Sequence, residues 1–439
     1  VAVFLLSRSL LVNTLPHGGL ALAALDEMQL PAGTKGLPIS EPLRQGAIGA
    51  QGWNVLGAQT SFPVAVLKES ALRHNLAWMK ALCDRHGVVL APHGKTTMSP
   101  QLFGAQLANG AWGITLATMI QVSIAQQFGV RRVLLANQLV GPADIAMMTA
   151  LLRSDPDFEL VVLVDSMAGV NRLSSAMLAA GLGKRLPVLL ELGLAGKRAG
   201  CRTDEEAVAV ARAIAKAPGL VLAGVEGYEG LLDEPEAVKE FVRRIVDLMR
   251  AFDAESLFAS DSIIISAGGS AYFDLVARGF SDVSGLSRPV ASILRSGCYL
   301  TKDHGTYLRH MVELDAREQE DDGLRPALEV WSMVQSLPEP GLAILTMGKR
   351  DASYDVELPI PLMHHRPGPG TPAALPEGCT IFKMNDQHAY LRMPAGFSLQ
   401  IGDLVGCGIS HPCTTFDKWQ VLLAVDDAYN VKFAINTFF

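Results

Sequence analysis

The 439-residue sequence lacks several things, and each lack removes a class of answer. There is no excess of positive charge: 37 Lys and Arg face 44 Asp and Glu, for a net charge of −7. A basic footprint is what phosphate backbones require, so nucleic acid is not the expected main partner. No uninterrupted apolar run is long enough to span a bilayer. The apolar opening, residues 1–25, is broken by Arg8, Asn13, Pro16 and His17, and it shows no clear secretory cleavage pattern. A cytoplasmic protein that does not engage a membrane is the expectation. Aromatic residues are sparse, at 6%, within a composition that is 49% apolar and ordinary for a globular enzyme. Six cysteines, at 83, 201, 298, 379, 407 and 413, follow no framework spacing, so they read as free thiols or metal ligands. No internal repeat or low-complexity tract is present. No GxGxxG follows the first apolar run, which disfavours an open dinucleotide-binding sheet.

What is present is a rhythm. Eight short apolar runs alternate with longer amphipathic stretches: 88–91, 112–115, 133–136, 160–164, 188–192, 220–228, 262–269 and 291–297. Among the intervening stretches, 203–217 opens with Thr203 three residues before Glu206, a capping-box signature. Continuously apolar strands followed by helices imply parallel strands covered on their outer face. Eight such units in this length predict a (β/α)8 barrel over residues 62–308. Beyond about residue 310 the pattern shortens into antiparallel β-structure, giving a β-rich domain over 309–439. A Pro/Gly-rich stretch at 365–378 reads as an exposed loop that includes the adjacent His365, with His364 before it. The acidic run 318–323 reads as a solvated loop.

Polar residues and glycines collect where the strands end, the face on which barrel sites are built. Lys95 follows the first strand, Asn137 and Gln138 the third, Asp165 the fourth, and Glu191 then Arg198 the fifth. Tyr228 follows the sixth. "SAGGS" puts Gly268, Gly269 and Ser270 after the seventh, and "RSGCY" puts Gly297, Cys298 and Tyr299 after the eighth. Two glycine-rich strand ends side by side point to phosphate, because glycine lets backbone N–H groups turn toward an anion. By position alone Lys95 is an ordinary exposed lysine. Opposite a phosphate site it fits a phosphorylated aldehyde held as a Schiff base, which implies pyridoxal phosphate.

In order, "APHGKTTMS", "LLANQLVGP", "ELGLAGKRAGCRT", "VEGYEG", "SAGGS", "RSGCYLTKDH" and "GDLVGCGISHPCTTFDKW" resemble the segments of one family. It is the D-serine dehydratase and D-threonine aldolase family of fold type III pyridoxal phosphate enzymes, relatives of alanine racemase. The resemblance runs from about residue 60 to the end of the chain. It implies Lys95 as the cofactor lysine and Cα base. Gly268, Gly269, Ser270, Gly297, Cys298 and Tyr299 would surround the phosphate, Arg198 and Tyr228 would face the ring, and Gln138 and Asp165 would lie in the pocket, with Asp165 reading equally as a strand-end cap. It implies a divalent metal on His411 and Cys413, a pair that in isolation reads as readily as a surface histidine beside a core cysteine. Thiolate with imidazole favours zinc over manganese. It also implies that residues 1–61 join the β-rich domain and that the protein is a homodimer.

The aldolase branch typically carries Asp where this chain has Cys413, so the resemblance favours a dehydratase that converts a small β-hydroxy D-amino acid to a 2-oxo acid and ammonia. Retro-aldol cleavage to glycine and an aldehyde is the alternative, followed by a non-catalytic cofactor-binding regulator. Three departures from the family pattern bear on the substrate pocket and chain start: the long segment 1–60, Thr346 in place of an Asp, and Gly94 in place of a bulkier residue.

Overall fold

A computed structural model describes residues 15–281, 283–318 and 322–439. The first part of the apolar opening and residues 319–321 of the acidic run lie outside the described residues. No described helix is long and apolar enough to cross a membrane.

Eight parallel strands form one curled sheet: Val89–Leu90, Ile114–Leu116, Arg132–Gln138, Glu159–Val164, Leu186–Leu192, Leu220–Gly227, Ile263–Ala267 and Val290–Leu294. Each overlaps one of the eight apolar runs. The first strand pairs with the eighth, and the order then runs back through the seventh to the second. The seam between first and second is closed by a parallel bridge between His93 and Thr115. Trp112 N donates to Leu90 O at 2.7 Å and Thr115 N to Pro92 O at 2.9 Å. The runs are apolar throughout because both faces are covered. Inward residues, among them Leu134, Leu163, Leu189, Ile264 and Ile293, fill the barrel as a separate buried cluster. Outward residues pack under the helices. The capping box forms as read: Thr203 Oγ1 accepts from Glu206 N at 3.2 Å, and Thr203 N donates to Glu206 Oε2 at 3.3 Å.

The second domain is mostly antiparallel and is organised on the long strand Leu328–Glu339. That strand pairs with Leu404–Gly408 and Leu342–Leu345. It also pairs with Val64–Lys68, which in turn runs parallel to the hairpin strand Val421–Val425. Residues 64–68 therefore belong to this sheet and not to the barrel, which corrects the boundary expected at 62. An apolar five-residue run satisfies either sheet equally, and only long-range pairing chooses between them. The other boundary, 309, cuts the helix Thr306–Glu318, which folds back on the barrel through Arg317 to Asp274 at 2.6 Å and Arg278 to Glu318 at 2.7 Å. Leu30, Leu37, Ile48 and Val55 share a core with Val64, Trp331 and Val421, so the N-terminal segment packs on the second domain. Upstream of that, Gly18 lies against the barrel helix Pro100–Ala108, where a Cβ would stand 2.7 Å from Gly104 O. His364 and His365 are not loop residues. They end the strand Ile360–His365, and His365 Nε2 lies 3.1 Å from Gly368 O.

Candidate active site

A cavity of about 190 Å³ opens where the barrel strands end. Its barrel walls include His93, Lys95, Arg198, Tyr228, Gly269, Ser270, Arg295, Gly297 and Cys298, and His411 and Cys413 of the second domain close its mouth.

Lys95 sits on a single 3-10 turn, Gly94–Thr96, immediately after the first strand. The turn lies flat on its neighbours: a Cβ at Gly94 would stand 2.7 Å from the Phe103 ring and 2.8 Å from Ile114. That contact explains glycine where a larger residue was expected. Among the described residues no hydrogen bond or ion pair holds the Lys95 ammonium. His93 is half-buried in the same wall, and its buried Nδ1 has no partner. Burial, with the Lys95 and Arg295 charges nearby, pushes the imidazole well below its usual pKa, so it is neutral.

The two glycine turns are laced together, because Ser296 Oγ donates to Gly268 O at 3.0 Å and to Gly269 O at 2.8 Å. Close approach dictates glycine here. A Cβ at Gly297 would stand 2.6 Å from His93 O, and one at Gly269 would stand 2.7 Å from the Tyr228 ring. Gly268 holds φ +88°. Its N–H does not face an open phosphate site, however. Gly268 N donates to Glu229 Oε2 at 2.9 Å and Gly269 N to Glu229 Oε1 at 2.6 Å, so a buried carboxylate already occupies both donors. Ser270 and the turn at Gly297 and Cys298 also lie on the cavity wall, with the Ser270 side chain hydrogen-bonded to Cys298.

Three further expectations change. The side chain of Tyr299 leaves the site: its hydroxyl accepts from Gln106 Nε2 at 3.2 Å, in a cleft it shares with Cys83. The turn Cys298–Leu300 is 3-10, which sends successive side chains in different directions, so only Cys298 faces the cavity. Gln138 acts at one remove, with Nε2 donating to Glu191, and it is Glu191 that lines the cavity. Asp165 caps the loop that follows the fifth strand, its Oδ2 accepting from Gly200 N at 3.1 Å. Arg198 and Tyr228 do meet, with the guanidinium 5.1 Å from the ring centre.

Sequence reasoning missed the cavity floor. Buried Arg295 donates to Ser266 Oγ at 2.8 Å and Gly227 O at 2.8 Å, and it pairs with Glu226 at 2.7 Å. Burial outweighs the Arg295 charge and pushes the Glu226 carboxyl up to about 8. Glu226 Oε1 has no partner. The available signal was a charge near the end of one apolar strand, Glu226, and another immediately after a second, Arg295. Buried polar atoms are ordinarily paired. The free atoms of Glu226 and His93, the glycine approaches and the unengaged lysine together fit a polar, phosphorylated aromatic aldehyde.

At the mouth, His411 Nδ1 lies 2.6 Å from Asp355 Oδ2, and Asp355 Oδ1 accepts from Thr414 Oγ1 at 2.8 Å. Cys413 Sγ lies 3.8 Å from Cys298 Sγ and 3.4 Å from Thr96 Oγ1. Hydrogen bonding to Cys413 and then to Asp355 raises His411 to about 9. Hydrogen bonds from Cys298 and His411 hold the Cys413 thiol well below its usual range. Thiolate, imidazole and a carboxylate behind the imidazole are the donor chemistry of a divalent transition-metal site. Among the described residues no three His, Cys, Asp or Glu side chains already converge on one point.

A curled parallel barrel with a lysine after its first strand, joined to a β domain, defines a pyridoxal phosphate enzyme of the alanine racemase type. Residues 67–283 match the alanine racemase N-terminal domain family, and residues 327–425 match the putative serine dehydratase domain family. The chain belongs to the fold type III D-serine dehydratase and D-threonine aldolase family. It is 28% identical to the D-threonine aldolase of Arthrobacter sp. over 381 residues, covering 84% of this chain and 90% of that one. It is 32% identical to the D-threo-3-hydroxyaspartate dehydratase of Delftia sp. strain HT23 over 190 residues, covering 42% and 48%. The solved structure of a D-threo-3-hydroxyaspartate dehydratase cysteine variant in the metal-free form superimposes with a TM-score of 0.68 at 21% identity, covering 88% of this chain and 99% of that one.

Proposed function

We propose that the protein is a pyridoxal phosphate- and zinc-dependent dehydratase that converts a small β-hydroxy D-amino acid, of the D-serine or D-threonine type, to a 2-oxo acid and ammonia. The carrying observation is a histidine–cysteine pair at the mouth of the cavity that holds Lys95. When bound, pyridoxal phosphate supplies an electron sink for charge developing at Cα. Lys95 would hold it covalently, Ser270 and the turn at Gly297 and Cys298 would bind its phosphate, and Arg198 and Tyr228 would flank its ring. The Lys95 Nζ would serve as the base for the Cα proton. Neutral His93 adds no competing cation beside that amine. His411 and Cys413 would hold zinc, which supplies Lewis acidity to the β-hydroxyl leaving group. A relative solved in a metal-free cysteine-variant form agrees with a cysteine serving a metal.

The test is product analysis with D-threonine. Release of 2-oxobutanoate and ammonia, stopped by chelation and by Lys95→Ala, is the expected result. Glycine and acetaldehyde in place of the keto acid would reverse the assignment. That second reading, retro-aldol cleavage, is favoured by the length of the match to the aldolase relative. Persistence of the lysine-bound cofactor absorbance in Lys95→Ala would refute both.

A further inference from the structure

We propose that Cys298 is a third protein ligand of the metal, making with His411 and Cys413 a His-Cys-Cys site with a single open position. The proposal rests on the reading above, in which His411 and Cys413 hold a divalent cation.

The two sulfurs come from different domains. Cys298 begins the turn after the eighth barrel strand, and Cys413 begins the helical turn Cys413–Phe416 of the second domain. Both line the cavity, and their Sγ atoms are 3.8 Å apart. Two thiolates bound to one tetrahedral zinc at about 2.3 Å stand roughly 3.8 Å apart, twice 2.3 Å multiplied by the sine of half the tetrahedral angle. The sulfur–sulfur edge of such a site is therefore already in place. The Thr96 hydroxyl lies 3.4 Å from one sulfur and 4.0 Å from the other, positioned as the outer hydrogen-bond donor that metal thiolates take.

His411 flanks Cys413 on the remaining side. Its Nδ1 is engaged by Asp355, which leaves Nε2 as the ligand atom. The three side chains are linked through Cys413, and among the described residues they do not converge on one point. Cation binding would draw them together by side-chain adjustment, the commonest change on ligand binding. The chemistry favours the third ligand. Catalytic zinc sites use three protein donors and keep one position for water or substrate, and a Cys2His set is among those known. Two thiolates also select zinc over magnesium or manganese. With one position left, the substrate β-hydroxyl has a single place to bind.

The experiment uses the full-length protein with its cofactor. Zinc affinity is measured by competition with a chromogenic chelator for wild type, Cys298→Ser and Cys413→Ser. The thiolate-to-metal charge-transfer band is measured on the cobalt(II)-loaded forms. The expected result is about tenfold or greater loss of zinc affinity in Cys298→Ser, with the cobalt band per bound ion reduced to roughly half. Weakened binding in Cys413→Ser with no change in Cys298→Ser overturns this proposal and leaves the two-ligand reading standing. No change in Cys413→Ser overturns the metal reading itself. X-ray absorption on zinc-loaded wild type needs no variant: two sulfur neighbours support the proposal, and one sulfur, or a disulfide between the cysteines, refutes it.

Discussion

Asp355 offers a perturbation in which two effects oppose each other. Its carboxylate holds His411 Nδ1 at 2.6 Å and is itself pinned by Thr414 at 2.8 Å. Without metal, His411 is raised to about 9, above the 6.5 of a free imidazole, so it carries a proton at neutral pH. Zinc binding displaces that proton, and the Cys298 thiol, which Cys413 and burial push well above its usual range, gives up a second. Zinc affinity should therefore rise at least about tenfold per pH unit from 7 to 9 and less steeply above, where His411 no longer contributes. The His411 proton alone corresponds to about 2.7 kcal/mol over the two units. Asp355→Ala removes a charge-assisted hydrogen bond worth roughly 1.5–3 kcal/mol, about ten- to 150-fold in affinity. It also lowers the His411 pKa, which eases proton displacement and offsets part of that loss at pH 7. At pH 9.5 the imidazole is neutral in either protein and the offset disappears. The variant's deficit should thus be small at pH 7 and largest at pH 9.5, with Asp355→Asn between the two proteins. Chelator competition at pH 7, 8 and 9.5 at fixed ionic strength measures it. A wild-type affinity that is flat from pH 7 to 9, or equal affinities at pH 9.5, would refute the reasoning.

Other outcomes follow from the same geometry. Gly297→Ala forces a Cβ to 2.6 Å from the His93 carbonyl, so cofactor affinity and thermal stability should both fall, by about 1–3 kcal/mol of overpacking; a variant unchanged in titration and melting would contradict the close approach. Glu226, raised to about 8, binds more protons folded than unfolded between pH 4.5 and 8. Its contribution is therefore complete below pH 4.5 and lost as pH rises through 8, by up to about 1.4 kcal/mol per unit, so Glu226→Gln should flatten the pH dependence of apoprotein stability. Parallel denaturation profiles for the two proteins would count against a neutral Glu226. Thr203→Ala should cost about 1 kcal/mol through loss of the capping box and leave cofactor binding unchanged; an unchanged melting temperature would show that the cap carries no weight.

The sequence by itself determined the barrel's eight strands, the cap at Thr203 and the place of Lys95. Such features are written in local periodicity and in residue types that end strands and begin helices. It also carried the order of motifs that identifies the family. Three kinds of feature were not legible, each for a physical reason. Val64–Lys68 is apolar enough for either sheet, and only its pairing with Leu328–Trp331 and Val421–Val425 assigned it. Cys298 and Tyr299 are neighbours in the chain, yet the 3-10 turn sends one thiol into the cavity and the phenol to Gln106. The phosphate donors expected at Gly268 and Gly269 are held by Glu229, some 40 residues earlier, and the Glu226–Arg295 floor joins two separate strands. Cys298 and Cys413 stand 115 residues apart and meet at 3.8 Å. Tertiary packing alone decides such pairings, because no local pattern records which distant side chain will share a buried space.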